Sequence, residues 1–238
     1  GAHETPDEYR HDKAGYLKLV CEEMIPAVAE EGLAEFCDVF CERGVFDPDE
    51  SRMVLEAGKR HGLKPKIHAD EMAASGGSTV AAEVGAVSAD HLMKTPPEGI
   101  AAMKEAGVVA TLLPGTTFYL SKPGYAPARQ MLDSGLRVAL ATDRNPGSCT
   151  VESMLLIVGL AVQRMGMTPI EAIEASTFGG AFALGREKSC GSLETGKRAD
   201  VILWNAADEN QLVYEFANNL KRSVWAGGRR ISDATANS

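Results

Sequence analysis

From about residue 35 onward, short apolar runs alternate with stretches of helical periodicity, and this alternation is what most limits the folds open to the chain. The runs end near Phe40, Ile67, His91, Leu113 and Ala141, about 22 to 29 residues apart, a spacing that suits one repeated supersecondary unit. Between them lie predicted helices over 49–61, 78–84, 97–106 and 126–134. Parallel strands need a crossover connection, usually a helix, so the pattern predicts an α/β chain of successive βα units. Helix punctuation agrees. Asp47-Pro48-Asp49-Glu50 supplies a cap, a first-turn proline and acids. Thr95-Pro96-Pro97-Glu98 is expected to do the same, with Gly107 as the stop. Further helices are predicted over 151–165 and 169–175, the second opened by Thr168-Pro169-Ile170-Glu171.

After about Gly185 the pattern changes. Residues 199–204, 223–226 and 229–231 read as strands, the last two joined at Gly227-Gly228 as a hairpin. The expected organisation is therefore βα units over 1–185 and a small β module over 186–238. The tail, 232–238, is expected to fray.

Composition narrows the partners. Lys and Arg number 24 against 33 Asp and Glu, a net charge of −9. Nucleic-acid binding needs clustered positive charge, so no nucleic-acid partner is expected. No apolar run approaches the roughly 20 residues of a membrane helix, and no basic-then-apolar secretory signal opens the chain. Five cysteines (Cys21, Cys37, Cys41, Cys149 and Cys190) form an odd set without a CxxC. That fits reduced thiols and a cytoplasmic setting. Cys37 and Cys41 flank an apolar FCDVFC stretch and are expected to be buried.

Reactive groups of a parallel α/β fold sit at the carboxyl ends of its strands. KIHADE places His68 at one such end, with Asp70 and Glu71 just beyond. SADH places His91 at the next, and ATDRNPGS places Asp143 at another. Taken singly, each is also what a structural histidine or a helix-capping aspartate looks like. Two of five histidines and an aspartate at equivalent strand ends point instead to a metal hydrolase, because imidazole and carboxylate are ligands that zinc and iron accept. Asp70 has two readings: orienting His68, or capping the helix that follows.

KIHADE, VGAVSADHL, VVATLLPGTTFYL and ATDRNPGS, in this order, resemble the imidazolonepropionase family of the amidohydrolase superfamily. The resemblance extends to CEEMIPAVAEEGLAEFCDVFCE and to GSLETGKRADVILW, the latter shared by many amidohydrolases. It implies part of a TIM-like (β/α)8 barrel of the metal-dependent amidohydrolase type, followed by strands of a small β-sandwich. It also implies opening of 4-imidazolone-5-propanoate by water to give N-formimino-L-glutamate, with one divalent metal, zinc or iron. His68 and Asp143 match metal ligands. Glu71, His91 and Asp143 match catalytic groups, while His3, Glu71, Asn145 and Gly147 match substrate-binding positions. A small-molecule substrate and a homo-oligomer are the implied partners.

The chain departs from that pattern in three places. The family's first-strand HxH pair is absent from these 238 residues, whose histidines are His3, His11, His61, His68 and His91. A TIM barrel takes roughly 250 residues, and the chain opens Gly1-Ala2-His3 without Met, so it reads as the later part of such a barrel. Arg144 stands where an aromatic residue is expected, either to hold a propionate or to face solvent. Phe178-Gly179-Gly180 replaces a more usual Asn-Ala-Ala and reads as packing variation. Two rival readings remain at this point. A His-x-x-Glu motif also occurs in nucleobase deaminases, and a chain without HxH could be inactive unless a partner completes it.

Overall fold

A computed structural model describes residues 1–233. The chain divides into two compact units, Gly1–Leu112 with Gln130–Arg137, and Leu113–Arg129 with the chain from Val138 on.

The first unit holds four parallel strands in the order β1 (Phe36–Cys41), β2 (Lys64–Ala69), β3 (Ser88–His91) and β4 (Val109–Leu112). Helices Pro48–Arg60, Gly77–Val84 and Pro97–Ala106 make the connections. All fall within a few residues of the segments read from periodicity. Val39, Ile67, Ala69, Ala89 and Ala110 are fully buried in the strands, and Val54, Leu55 and Ala81 pack from the helices. Asp47 caps the first helix in a complete capping box with Glu50, and Gly107 stops the third with φ +74°. One expected cap differs. Thr95 does not close the helix at Pro97; its hydroxyl donates to Asp70 Oδ2 at 3.1 Å. The helical segments over 13–30 precede the region that periodicity resolved.

The second unit contains β5 (Val138–Leu140), helices Pro114–Tyr119, Met154–Met165 and Pro169–Glu174, and a short helix Glu209–Tyr214 that the sequence reading does not include. It also holds an antiparallel sheet, in the order β6 (Val201–Trp204), β7 (Lys221–Ala226) and β8 (Arg229–Asp233). Gly227 and Gly228 turn the hairpin with φ +57° and +76°, the doubly left-handed geometry of a two-residue turn. Ser232 and Asp233, expected to fray, continue β8 opposite Val224 and Ser223. The rest of that tail lies outside the described residues.

Gly179 explains a departure that the sequence alone leaves as packing variation. A Cβ there would sit 2.2 Å from the carbonyl oxygen of Val138, so helix and β5 approach more closely than alanine allows.

Candidate metal and catalytic site

Strand pleating assembles the site in the first unit. In β1, Cys37, Val39 and Cys41 are buried, while Phe36, Asp38 and Phe40 lie on the other, partly open face. In β2, Pro65, Ile67 and Ala69 are buried and Lys66 and His68 share the open side. Parallel register sets Asp38 beside Lys66 and Phe40 beside His68. That face therefore carries Asp38, Lys66 and His68 together with the rings of Phe36 and Phe40.

His68 packs into a cluster on that face. Its Nδ1 lies 3.2 and 3.0 Å from the two carboxylate oxygens of Asp38. The His3 Nε2 is 2.5 Å from Asp38 Oδ2, and the His3 and His68 rings meet edge to face with centroids 4.5 Å apart. A backbone bond from Phe40 N–H to the Ala2 carbonyl, 3.0 Å, lays the start of the chain along β1 and brings His3 there. Burial works to raise the Asp38 pKa, but hydrogen bonds from His3 and His68 outweigh it and hold the carboxyl well below its usual range. His3, Asp38 and His68 each offer a ligand atom within 4.8 Å of the others. With Nδ1 directed at Asp38, His68 offers its other ring nitrogen, Nε2, to a divalent transition metal, an ion that imidazole and carboxylate ligands suit.

His91 reaches the cluster against strand parity. It pairs with Ala69, whose side chain faces the helix layer against Gly77, and regular pleating would aim His91 the same way. His91 and Leu92 instead adopt φ +73° and +60°. Left-handed backbone is uncommon outside glycine and, at a strand end, redirects the side chain. The His91 ring consequently lies 5.2 Å from that of His68, centroid to centroid, and its Nε2 is 3.7 Å from Glu71 Oε2. Both His91 and Glu71 are buried.

The loop that presents Glu71 is held by two buried carboxylates. Asp70, at φ +50°, accepts from the backbone N–H groups of Ser75, Gly76, Gly77 and Ser78. It caps the following helix, and Asp38 takes the place beside His68. Glu42, at the end of β1, accepts from the N–H groups of Met72 and Arg43 and from the Ser75 hydroxyl. Neither Asp38 nor Glu42 belongs to a motif visible in the sequence. The available signal for Asp38 was a carboxylate interrupting FCDVFC on the parity opposite to the cysteines.

In the second unit, Asp143 follows β5 in the left-handed conformation, φ +53°, and its Oδ2 accepts from Thr116 Oγ1 at 2.5 Å. Asn145 spends its amide on its own loop. Nδ2 donates to the Asp143 carbonyl and Ser148 Oγ, and Oδ1 accepts from the N–H groups of Gly147 and Ser148. Arg144 forms an exposed ion pair with Glu152 at 2.6 Å, the solvent-facing one of its two readings.

The amidohydrolase family model matches residues 40–231. The chain belongs to the amidohydrolase family. Among its amidohydrolase relatives, the imidazolonepropionase of Shouchella clausii (strain KSM-K16) is 54% identical over 232 residues, 97% of this chain and 52% of that protein. The imidazolonepropionase of Geobacillus thermodenitrificans (strain NG80-2) is 53% identical over 231 residues, 97% of this chain and 54% of the relative. This amidohydrolase chain thus spans about half the length of these relatives. Among solved structures, an ochratoxinase of A. niger superposes with a TM-score of 0.71 at 24% identity, over 90% of this chain and 55% of that one. That likeness is one of fold. No helix among the described residues is long and apolar enough to cross a membrane.

Proposed function

We propose that the chain forms part of an imidazolonepropionase, a hydrolase that opens the cyclic amide of 4-imidazolone-5-propanoate to give N-formimino-L-glutamate in histidine breakdown. Identity of 54% across 97% of the chain is the observation that carries this reading. Residues 1–185 would supply later βα units of the barrel and 186–238 strands of the β-sandwich.

His68 and Asp143 would hold the divalent metal, zinc or iron. When bound, such a metal supplies an activated water at neutral pH and polarises a carbonyl. Asp143 or Glu71 takes the proton from the attacking water, and burial of Glu71 beside His91 favours it by excluding competing solvent. His91 donates a hydrogen bond to the oxygen on which negative charge develops. Asp143, having received the water's proton directly or from Glu71, returns it to the leaving ring nitrogen. His3 and Glu71 bind the substrate, and Asn145 and Gly147 contribute through the loop that the Asn145 amide stitches together. The chain works in the cytoplasm as a homo-oligomer on a small-molecule substrate, without nucleic acid or membrane.

Incubation with 4-imidazolone-5-propanoate and zinc or iron should yield N-formimino-L-glutamate. Ammonia release from guanine or cytosine would favour a deaminase instead. Glu71→Gln should impair turnover while metal content survives, and Asp143→Asn should reduce both. Undiminished turnover in Asp143→Asn would remove it from the ligand set. The absence of an HxH pair from these 238 residues favours a second reading, in which turnover needs a segment supplying two more ligands. Activity that appears only when such a segment is added would establish that reading.

A further inference from the structure

We propose that Asp38 is a positioning residue that fixes the tautomer and ring orientation of His68 and ties His68 to His3. The inference rests on the reading of His68 as a metal ligand and adds a residue to it.

A neutral imidazole carries one N–H and one lone pair. His68 directs Nδ1 at the Asp38 carboxylate, 3.0 to 3.2 Å away. A carboxylate can only accept, so the proton belongs on Nδ1 and the lone pair on Nε2, the nitrogen then able to bind a metal. Partners of this kind orient ligand histidines and raise their basicity, and losing one typically weakens metal affinity about 10- to 100-fold.

Asp38 does this for two rings at once. His3 directs Nε2 at Oδ2 of the same carboxylate, so its proton belongs on Nε2. The two rings arrive by separate routes. His68 stands on β2, whereas His3 is brought to β1 by the Phe40–Ala2 backbone bond and by the Tyr16 hydroxyl, which donates to the Gly1 carbonyl at 2.8 Å. One acceptor-only group receiving two imidazole donors thus joins a proposed substrate-binding histidine to a proposed metal ligand.

Asparagine has nearly the same shape but presents an NH2 group to one of the two donors, which makes Asp38→Asn the discriminating change. The 15N-labelled chain is examined at pH 8, where an ordinary imidazole is neutral. Long-range 1H–15N spectra read the protonated nitrogen of each ring, and chelator competition reads the affinity for zinc. Wild type should show His68 protonated at Nδ1. In Asp38→Asn, a population protonated at Nε2 should appear and zinc should bind about 10- to 100-fold more weakly. Asp38→Glu, which keeps the carboxylate, should retain the wild-type tautomer and remains informative if the asparagine variant folds poorly.

Wild-type His68 protonated at Nε2 would overturn the proposal without any variant. So would a folded Asp38→Asn chain with unchanged tautomer and zinc affinity. His68→Ala serves as the separate control. If it binds zinc as tightly as wild type, the metal-ligand reading falls, while the spectra still decide what Asp38 does to the ring.

Discussion

Asp70 accepts four backbone N–H groups at 2.9 to 3.3 Å and the Thr95 hydroxyl, and it is fully buried. Removing that acceptor leaves several buried donors unsatisfied at once. Asp70→Ala should therefore cost about 3 kcal/mol in urea unfolding; a loss below about 1 kcal/mol would mean the loop finds other acceptors. Cysteine chemistry offers a second test at this scale. Burial pushes the thiols of Cys37 and Cys41 up to about 11, so neither is a thiolate at neutral pH. Under native conditions at pH 8, a disulfide-forming thiol reagent should modify Cys21 and Cys190, which are partly exposed, well before Cys37 and Cys41. Early labelling of Cys37 or Cys41 would contradict the packing of β1. The strand-end positions of His68, His91 and Asp143 were legible in the sequence because apolar runs mark where strands stop. The Asp38 contact was not, since it depends on which residues of two strands lie side by side.

Element boundaries followed local chemistry wherever a cap or a glycine set them, as at Asp47, Gly107 and Thr168. The Thr168 box is tied further into its unit by Arg129, whose guanidinium makes two bonds of 2.9 and 3.0 Å to Glu171. Arg129, followed by the Thr168 backbone N–H, lowers the Glu171 carboxyl from its ordinary 4.5 to about 2. A depressed pKa in the folded state gives stability that is fully present above the unfolded value. That contribution is lost as pH falls from about 4.5 towards about 2. Glu171→Gln should cost roughly 0.5 to 1 kcal/mol at pH 7, the side chains of the pair being 41% and 30% exposed. The gap to wild type should narrow as pH falls from about 4.5 and vanish only below about 2 in denaturant titrations, and a gap that stays constant with pH would contradict the assignment. Gly179→Ala should destabilise by about 1 to 3 kcal/mol, because the obstacle is a backbone carbonyl that cannot rotate away. Periodicity could not reveal that approach, since a glycine inside a helix carries no record of what passes beside it.

Across the whole molecule, burial is uneven between the two sheets. In the parallel sheet, β2 is paired on both sides and Val39, Ile67 and Ala89 are fully buried. In the antiparallel sheet, Ile202 and Leu203 are each 45% exposed and Ile231 is 60% exposed. Local opening costs least where the fewest apolar contacts must break. Amide hydrogen exchange should therefore be slowest in β2 and faster in β6 and β8; equal protection would show that one cooperative transition governs both. The sequence by itself determined the βα order, the helix stops, the hairpin at Gly227-Gly228 and the strand-end addresses of the reactive residues. Each of these depends on hydrophobic period or on the φ preference of a nearby residue. Tertiary structure decided that Asp38 rather than Asp70 stands beside His68, that His91 turns towards the cluster, and that Asn145 and Arg144 spend their polar groups on neighbouring residues. Those outcomes depend on strand register, on left-handed backbone at non-glycine residues and on distances between segments far apart in the chain, none of which a local pattern encodes.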